Sequence, residues 1–260
     1  MDAEQGVYLY AVTRDEGGEP DGPAGVAGAP VRRLAHRGLA AFISTVSLQE
    51  FGEESLRRSM EDLAWLEEIA RAHHRVVEAV ARRGPTAPVR LVTVYTGEAQ
   101  VRELLDERHA QFDEVLRRVS GRWEWGVKAY AVAGPAEPVA ETQDAAPGAA
   151  YLNRRRAALR GREDGWRRAA EHAQAVHEAL MDIAVAGTRH RAQDPQLSGR
   201  REQMVLNGAY LVDEARAAEF ARVVEDPAER GVTLELVGPW APYSFAALDH
   251  DGETAYGDAS

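Results

Sequence analysis

Apolar positions along this chain recur with two periods, and the change from one to the other divides it into strands and helices. Val7-Tyr8-Leu9-Tyr10-Ala11-Val12 is a strand, rich in aromatic and β-branched residues. Residues 14–30, with five glycines and three prolines, form a loop. Val31 to Leu34 reads as a short strand, and Leu39 to Val46 as one buried on both faces. Leu56, Met60, Leu63, Leu66, Ile69, His73, Val76 and Val80 then recur at steps of three or four, which predicts one long helix over 53–83, closed by Gly84-Pro85. Val89 to Tyr95 is a strand, 98–119 a second helix, and Trp123 to Val132 a strand with Trp123, Trp125, Val127 and Ala129 on one side.

Residues 134–148 hold three prolines and two glycines without periodicity, the composition of a linker. Beyond it the pattern predicts a highly charged helix over 151–185, open to a break at Gly161 and Gly165, then a loose polar loop over 187–202. A strand (Val205 to Val212), a helix (214–224) and a last strand (Val232 to Val237) follow. The expected organisation is an N-terminal domain over 1–133, the linker over 134–148, a C-terminal domain over 149–248 and an acidic tail over 249–260. The element order gives the α+β class: a modified ferredoxin-like two-layer sandwich with helices on one face, followed by a helix-rich α+β domain.

Gly238-Pro239 should stop the last strand, because proline has no N–H for a sheet ladder. The next residues, Trp240-Ala241-Pro242-Tyr243-Ser244-Phe245, place three aromatics in a stretch stiffened by proline. Such a cluster loses little conformational entropy on burial. Pro239, Trp240, Pro242, Tyr243 and Phe245 therefore serve either as a cap on a domain core or as a contact for a partner, and one segment can do both.

Composition removes several classes of chemistry. The chain has no cysteine, hence no disulfide, thiolate metal site or cysteine nucleophile, which fits a cytoplasmic protein. Its net charge of −11 argues against nucleic acid and anionic membrane as partners. No apolar run reaches the roughly 20 residues of a membrane span. Lys128, the only lysine, stands in Gly126-Val127-Lys128-Ala129, so a Walker-type phosphate loop is absent. No serine elbow, His-Glu-x-x-His or Rossmann fingerprint occurs, and no enzyme, metal or cofactor is expected.

Two clusters need weighing. His74 and Glu78 lie one helical turn apart, as metal ligands could, but His73 falls on the apolar stripe and no third ligand is fixed. A packed histidine beside a solvated one explains them better. His172 and His177 have the wrong spacing for one helix face. Arg154-Arg155-Arg156, Arg160, Arg162, Arg167 and Arg168 could steer an acidic partner, yet Glu163, Asp164 and Glu171 intersperse them, as on a solvated helix with internal pairs.

The ending Gly238-Pro239-Trp240-Ala241-Pro242-Tyr243-Ser244-Phe245 resembles the signature of the gas vesicle GvpL/GvpF family. So do Val7-Tyr8-Leu9-Tyr10-Ala11, Gly38-Leu39-Ala40-Ala41-Phe42-Ile43-Ser44, His73-His74-Arg75-Val76-Val77-Glu78, Ala87-Pro88-Val89-Arg90, Glu124-Trp125-Gly126-Val127-Lys128, Gly148-Ala149-Ala150-Tyr151-Leu152 and Asn207-Gly208-Ala209-Tyr210-Leu211-Val212. Their order makes the match specific. In two places the chain departs: many members have Phe-Gly where Leu91-Val92 stands, and proline where Ala241 stands.

The resemblance implies a ferredoxin-like N-terminal domain, a C-terminal α+β domain with long helices, and a role in building gas vesicles, the gas-filled protein shells that give cells buoyancy. It implies a non-catalytic accessory or minor structural protein that contacts the shell protein GvpA and other vesicle proteins. No catalytic residues come with it. The alternative, from another class, is a small-ligand-binding regulatory module, since ferredoxin-like sheets often serve that way.

Overall fold

A computed structural model describes residues 4–17, 22–132, 147–192, 202–225 and 231–246. The chain forms two compact units, one made of residues up to Trp123 together with those from Trp240 on, the other of Glu124–Pro239. The linker expected over 134–148 falls almost wholly, and the tail over 249–260 entirely, outside the described residues.

The first unit contains β1 (Gln5–Arg14), β2 (Arg32–His36), β3 (Leu39–Ser47), α1 (Leu48–Phe51), α2 (Glu53–Ser59), α3 (Leu63–Ala81), β4 (Thr86–Tyr95), α4 (Glu98–Glu107) and α5 (His109–Val119). Its sheet has the order β2-β3-β1-β4, with β1 antiparallel to both neighbours. That is the ferredoxin-like order, modified because a loop with a 3-10 turn at Val26–Gly28 joins β1 to β2 where a helix would usually run. The second unit contains β5 (Arg122–Ala131), α6 (Pro147–Met181), β6 (Ala186–Arg189), β7 (Met204–Asp213), α7 (Ala217–Glu225) and β8 (Val232–Trp240). Its order, β6-β7-β5-β8, is the same arrangement counted from its own first strand. With both crossover helices present, it is the fuller βαββαβ pattern.

The α+β class is as expected; its detail differs. In the first unit helices cover both faces of the sheet, not one. Val7 and Leu9 of β1 face Val101 and Leu105 of α4 and Phe112 and Leu116 of α5, while Tyr8 and Tyr10 face Ile69, Val76 and Val80 of α3. A strand buried on both sides must be apolar throughout, which is why β1 shows no polar alternation. At Tyr10 the ladder slips: Leu9 pairs with Ile43 and Ala11 with Phe42, so Tyr10 is an extra residue. Such a bulge reverses which side the following residues occupy. Val12, not Ala11, accordingly joins the Val7–Leu9 side.

The strand expected at the end of the first domain, β5, belongs to the second sheet. Period-two alternation reports one buried face without naming the sheet that buries it. In the second unit Val127 and Ala129 of β5 pack with Ala173, Val176 and Leu180 of α6, Tyr210 and Val212 of β7, and Phe220 of α7. Both predicted helices of the first unit are divided. Asp62 caps a fresh start to α3 by accepting from the amides of Ala64 at 2.9 Å and Trp65 at 3.2 Å, and Arg108, at φ −110°, separates α4 from α5. Met60 and Leu63 of the expected stripe are left in solvent, Leu63 79% exposed. By contrast α6 runs unbroken through Gly161 and Gly165. The start of the loop expected over 187–202 is instead part of a strand, Ala186–Arg189, on β7. Finally β8 continues through Gly238 and Pro239, because it is an edge strand, where a missing amide costs no ladder bond. It is half-buried to exposed.

Candidate functional site

The first unit is organised around a ladder of aromatic rings between β1 and α3, finished by the segment from Trp240 on. Tyr8 lies 4.8 Å from Tyr10 and meets Phe51 edge-on at 5.9 Å, and Phe51 packs on Trp65 at 5.9 Å, ring centroid to ring centroid. His73 sits 5.7 Å from Tyr8 and 5.6 Å from Tyr10. On its other side Tyr243 stands 6.2 Å from His73 and stacks on His74 at 6.4 Å; Trp240 meets His74 edge-on at 5.1 Å. Tilted and edge-on geometries of this kind suit ring quadrupoles.

Two tyrosine hydroxyls order the polar atoms within this apolar setting. Tyr8 Oη accepts the Val92 amide at 3.0 Å and lies 3.0 Å from His73 Nδ1. Tyr10 Oη accepts the Val26 amide at 2.9 Å and donates to Ser44 Oγ at 3.0 Å; Ser44 in turn donates to the Pro30 carbonyl at 3.0 Å. The two tyrosines thus pin the β1–β2 loop and the irregular part of β4 to the central strand. Between Pro88, opposite Ala11, and Thr93, opposite Leu9, four residues of β4 answer the single Tyr10. This excursion contains Val92 at φ +62°, a left-handed conformation that a β-branched residue rarely adopts.

Burial sets the protonation of the cluster. It pushes Tyr8 far above the usual phenol range, the Val92 amide offsetting part of the effect, and it raises Tyr10 against the opposing bonds from Ser44 and Val26. His73, 2% exposed, is lowered to about 4 by burial, with the Val89 backbone opposing and His74 adding to the shift. It is a neutral core histidine. His74 is more open, 4.0 Å from Glu78. Among the described residues no group of three or more His, Asp or Glu side chains could hold a metal ion.

Of the residues singled out in the aromatic ending, Pro242 and Phe245 are buried, Tyr243 is half-buried, and Pro239 and Trp240 are exposed, Trp240 by 40%. Arg118 lies over the Phe245 ring at 6.0 Å, and Ala241 and Ala246 enter the cores on the two faces of the first sheet. Sequence reasoning missed the Tyr8–Val92 and Tyr10–Ser44 connections. Two tyrosines alternating on a core strand, each with a hydroxyl that must find a partner, were the available signal. It weighed His177 only as a metal partner of His172, whereas its Nδ1 lies 2.7 Å from Tyr210 Oη, a second tyrosine–histidine pair between strand and helix. Burial pushes Tyr210 up to about 12 and holds His177 below its ordinary value, Arg189 acting against the first shift and with the second. In the arginine-rich part of α6, Arg167 pairs with Asp164, as a solvated helix would.

A depression lined by Pro23, Val31, Phe42, Val76, Val80 and Arg83 offers about 250 Å³, including space open to solvent, and its walls are mostly apolar. Small-molecule sites use more room and several convergent polar groups. No helix among the described residues is long and apolar enough to cross a membrane.

The architecture is that of an α+β protein with two ferredoxin-like sheets, the first completed by an aromatic segment that follows the second. The chain belongs to the gas vesicle synthesis protein GvpL/GvpF family, whose model matches residues 6–247. It is 44% identical over 254 residues to gas vesicle protein L of Streptomyces sp. (strain CB03234), covering 95% of each chain. To gas vesicle protein F of the same organism it is 26% identical over 259 residues, covering 92% of this chain and 98% of the relative. The crystal structure of the gas vesicle protein GvpF from Anabaena sp. PCC7120 shares the fold with a TM-score of 0.67 at 20% identity, over 96% of this chain and all (100%) of that one.

Proposed function

We propose that the protein is a non-catalytic assembly factor of gas vesicles that engages the shell protein GvpA and other vesicle proteins, in the cytoplasm and on the forming vesicle. Family membership supports a gas vesicle role. The observation that carries the contact is the exposed Trp240 ring, seated on His74 beside Tyr243. A large aromatic held in place loses little entropy when covered, and aromatic anchors of this kind dominate protein interfaces. In this reading Trp240, with Pro239 beside it, meets the partner, while Pro242, Tyr243 and Phe245 cap the core.

Co-expression with tagged GvpA tests it. The wild-type protein should co-purify with GvpA or keep it soluble. Trp240→Ala should weaken that association while lowering the melting temperature much less than a core truncation does. Phe245→Ala should lower the melting temperature, since truncating a buried phenylalanine costs about 3–5 kcal/mol. Failure of the wild-type protein to associate with GvpA or any other vesicle protein would sink the proposal.

A further inference from the structure

We propose that the N-terminal half of α6 is a docking surface for an acidic amphipathic helix of another protein chain. α6 has 35 residues, but among the described ones its buried side chains begin only at Ala169, continuing with Ala173, Val176 and Leu180 onto the sheet. Leu159 and Trp166 lie on the same side of the helix, seven residues apart and in step with Ala173 and Leu180. They are 51% and 48% exposed. The apolar side that packs against the sheet thus continues through two further turns, covered by none of the described residues. Tryptophan and arginine are the residues that interfaces enrich, and this segment supplies both.

The occupant follows from charge. Arg154 to Arg168 contains seven arginines against Glu163 and Asp164, within a chain of net charge −11. A second copy pairing through this same segment would set arginine against arginine. A helix with an apolar stripe flanked by glutamate or aspartate meets both Leu159–Trp166 and the arginines. RNA would find phosphate partners but no use for Leu159.

The test titrates the full chain with a fluorescein-labelled synthetic four-heptad peptide, leucine at the a and d positions and glutamate beside them, read by anisotropy. Saturable binding is expected. It should weaken on the order of tenfold in Leu159→Ser/Trp166→Ser, with far-UV circular dichroism and melting temperature as wild type. A lysine-flanked twin peptide should bind only to Arg155→Glu/Arg156→Glu, which should in turn lose the acidic peptide. Absence of binding, or equal binding by wild type and the Ser/Ser variant, overturns the proposal. So does a dimer in analytical ultracentrifugation that the Ser/Ser variant abolishes, or displacement of the peptide by an RNA oligonucleotide. Peptide binding that persists where GvpA association fails leaves this surface standing and removes only the GvpA reading; the converse does the opposite.

Discussion

Tyr8 and Val92 stand 84 positions apart, yet the Val92 amide donates to the Tyr8 hydroxyl at 3.0 Å. This bond ties the left-handed turn of the edge strand β4 to the middle of the sheet, and the same hydroxyl reaches His73 on α3. One phenol oxygen therefore joins three elements.

Tyr8→Phe should remove that junction and leave the Val92 amide and His73 Nδ1 without their partner. Stranding buried polar groups costs about 1–3 kcal/mol each, so the urea midpoint should fall clearly. A double-mutant cycle with His73→Phe should show coupling, because both changes remove the same bond. Strict additivity would mean that the bond contributes nothing.

At Val92 the backbone decides. A side chain at φ +62° is strained where glycine is not, so Val92→Gly should be more stable than Val92→Ala by about 1 kcal/mol in urea unfolding. The reverse order would refute the strain.

Gly25 has an ordinary φ of −77°, so space constrains it, not conformation. A Cβ there would fall 2.1 Å from Tyr10 Oη and 2.7 Å from Ser44 Oγ. Gly25→Ala should destabilise by about 1–3 kcal/mol, as overpacking does. Tyr10→Phe in the same chain should recover part of the loss by removing the nearest atom; no recovery in the thermal midpoint would place the clash elsewhere.

His73 makes stability depend on pH. Its folded value of about 4 lies below the ordinary 6.5, so between these the unfolded chain binds the extra proton. The stability held by neutral His73 is whole above pH 6.5 and declines as pH falls toward 4, by about 3 kcal/mol in all, with no further His73 contribution below. Relative to His73→Gln, the wild-type protein should lose stability across that window in denaturant titrations. Parallel pH profiles would show that His73 does not titrate in this way.

How much of this could be read beforehand varied by element. The α+β class was legible because β1 and β3 are apolar runs of strand length and α3 repeats Ile69, His73, Val76 and Val80 at helical steps. His73 was rightly assigned to packing on that stripe. The sheet that claims β5 was not legible, since Trp125, Val127 and Ala129 alternate in the same way whichever neighbours they meet. Nor was the division of the long helix, because Leu63 keeps the helical step although it faces solvent. At the candidate site the ending marked the family, but sequence spacing does not contain the meeting of Trp240 with His74 or of Tyr8 with Val92. Those distances exist only after folding.

The first unit is discontinuous in the chain, and this orders its birth. A ribosome delivers roughly 5–20 residues each second. Residues up to Trp123 emerge first, then the whole second unit, and only afterwards Ala241, Tyr243 and Ala246, which belong to the cores on either side of the first sheet. The half made earliest is thus finished last. Until then α3, α4 and α5 already lie on its two faces, but the places of Ala241, Tyr243 and Ala246, the side of His73 among them, stand open to whatever the cell offers.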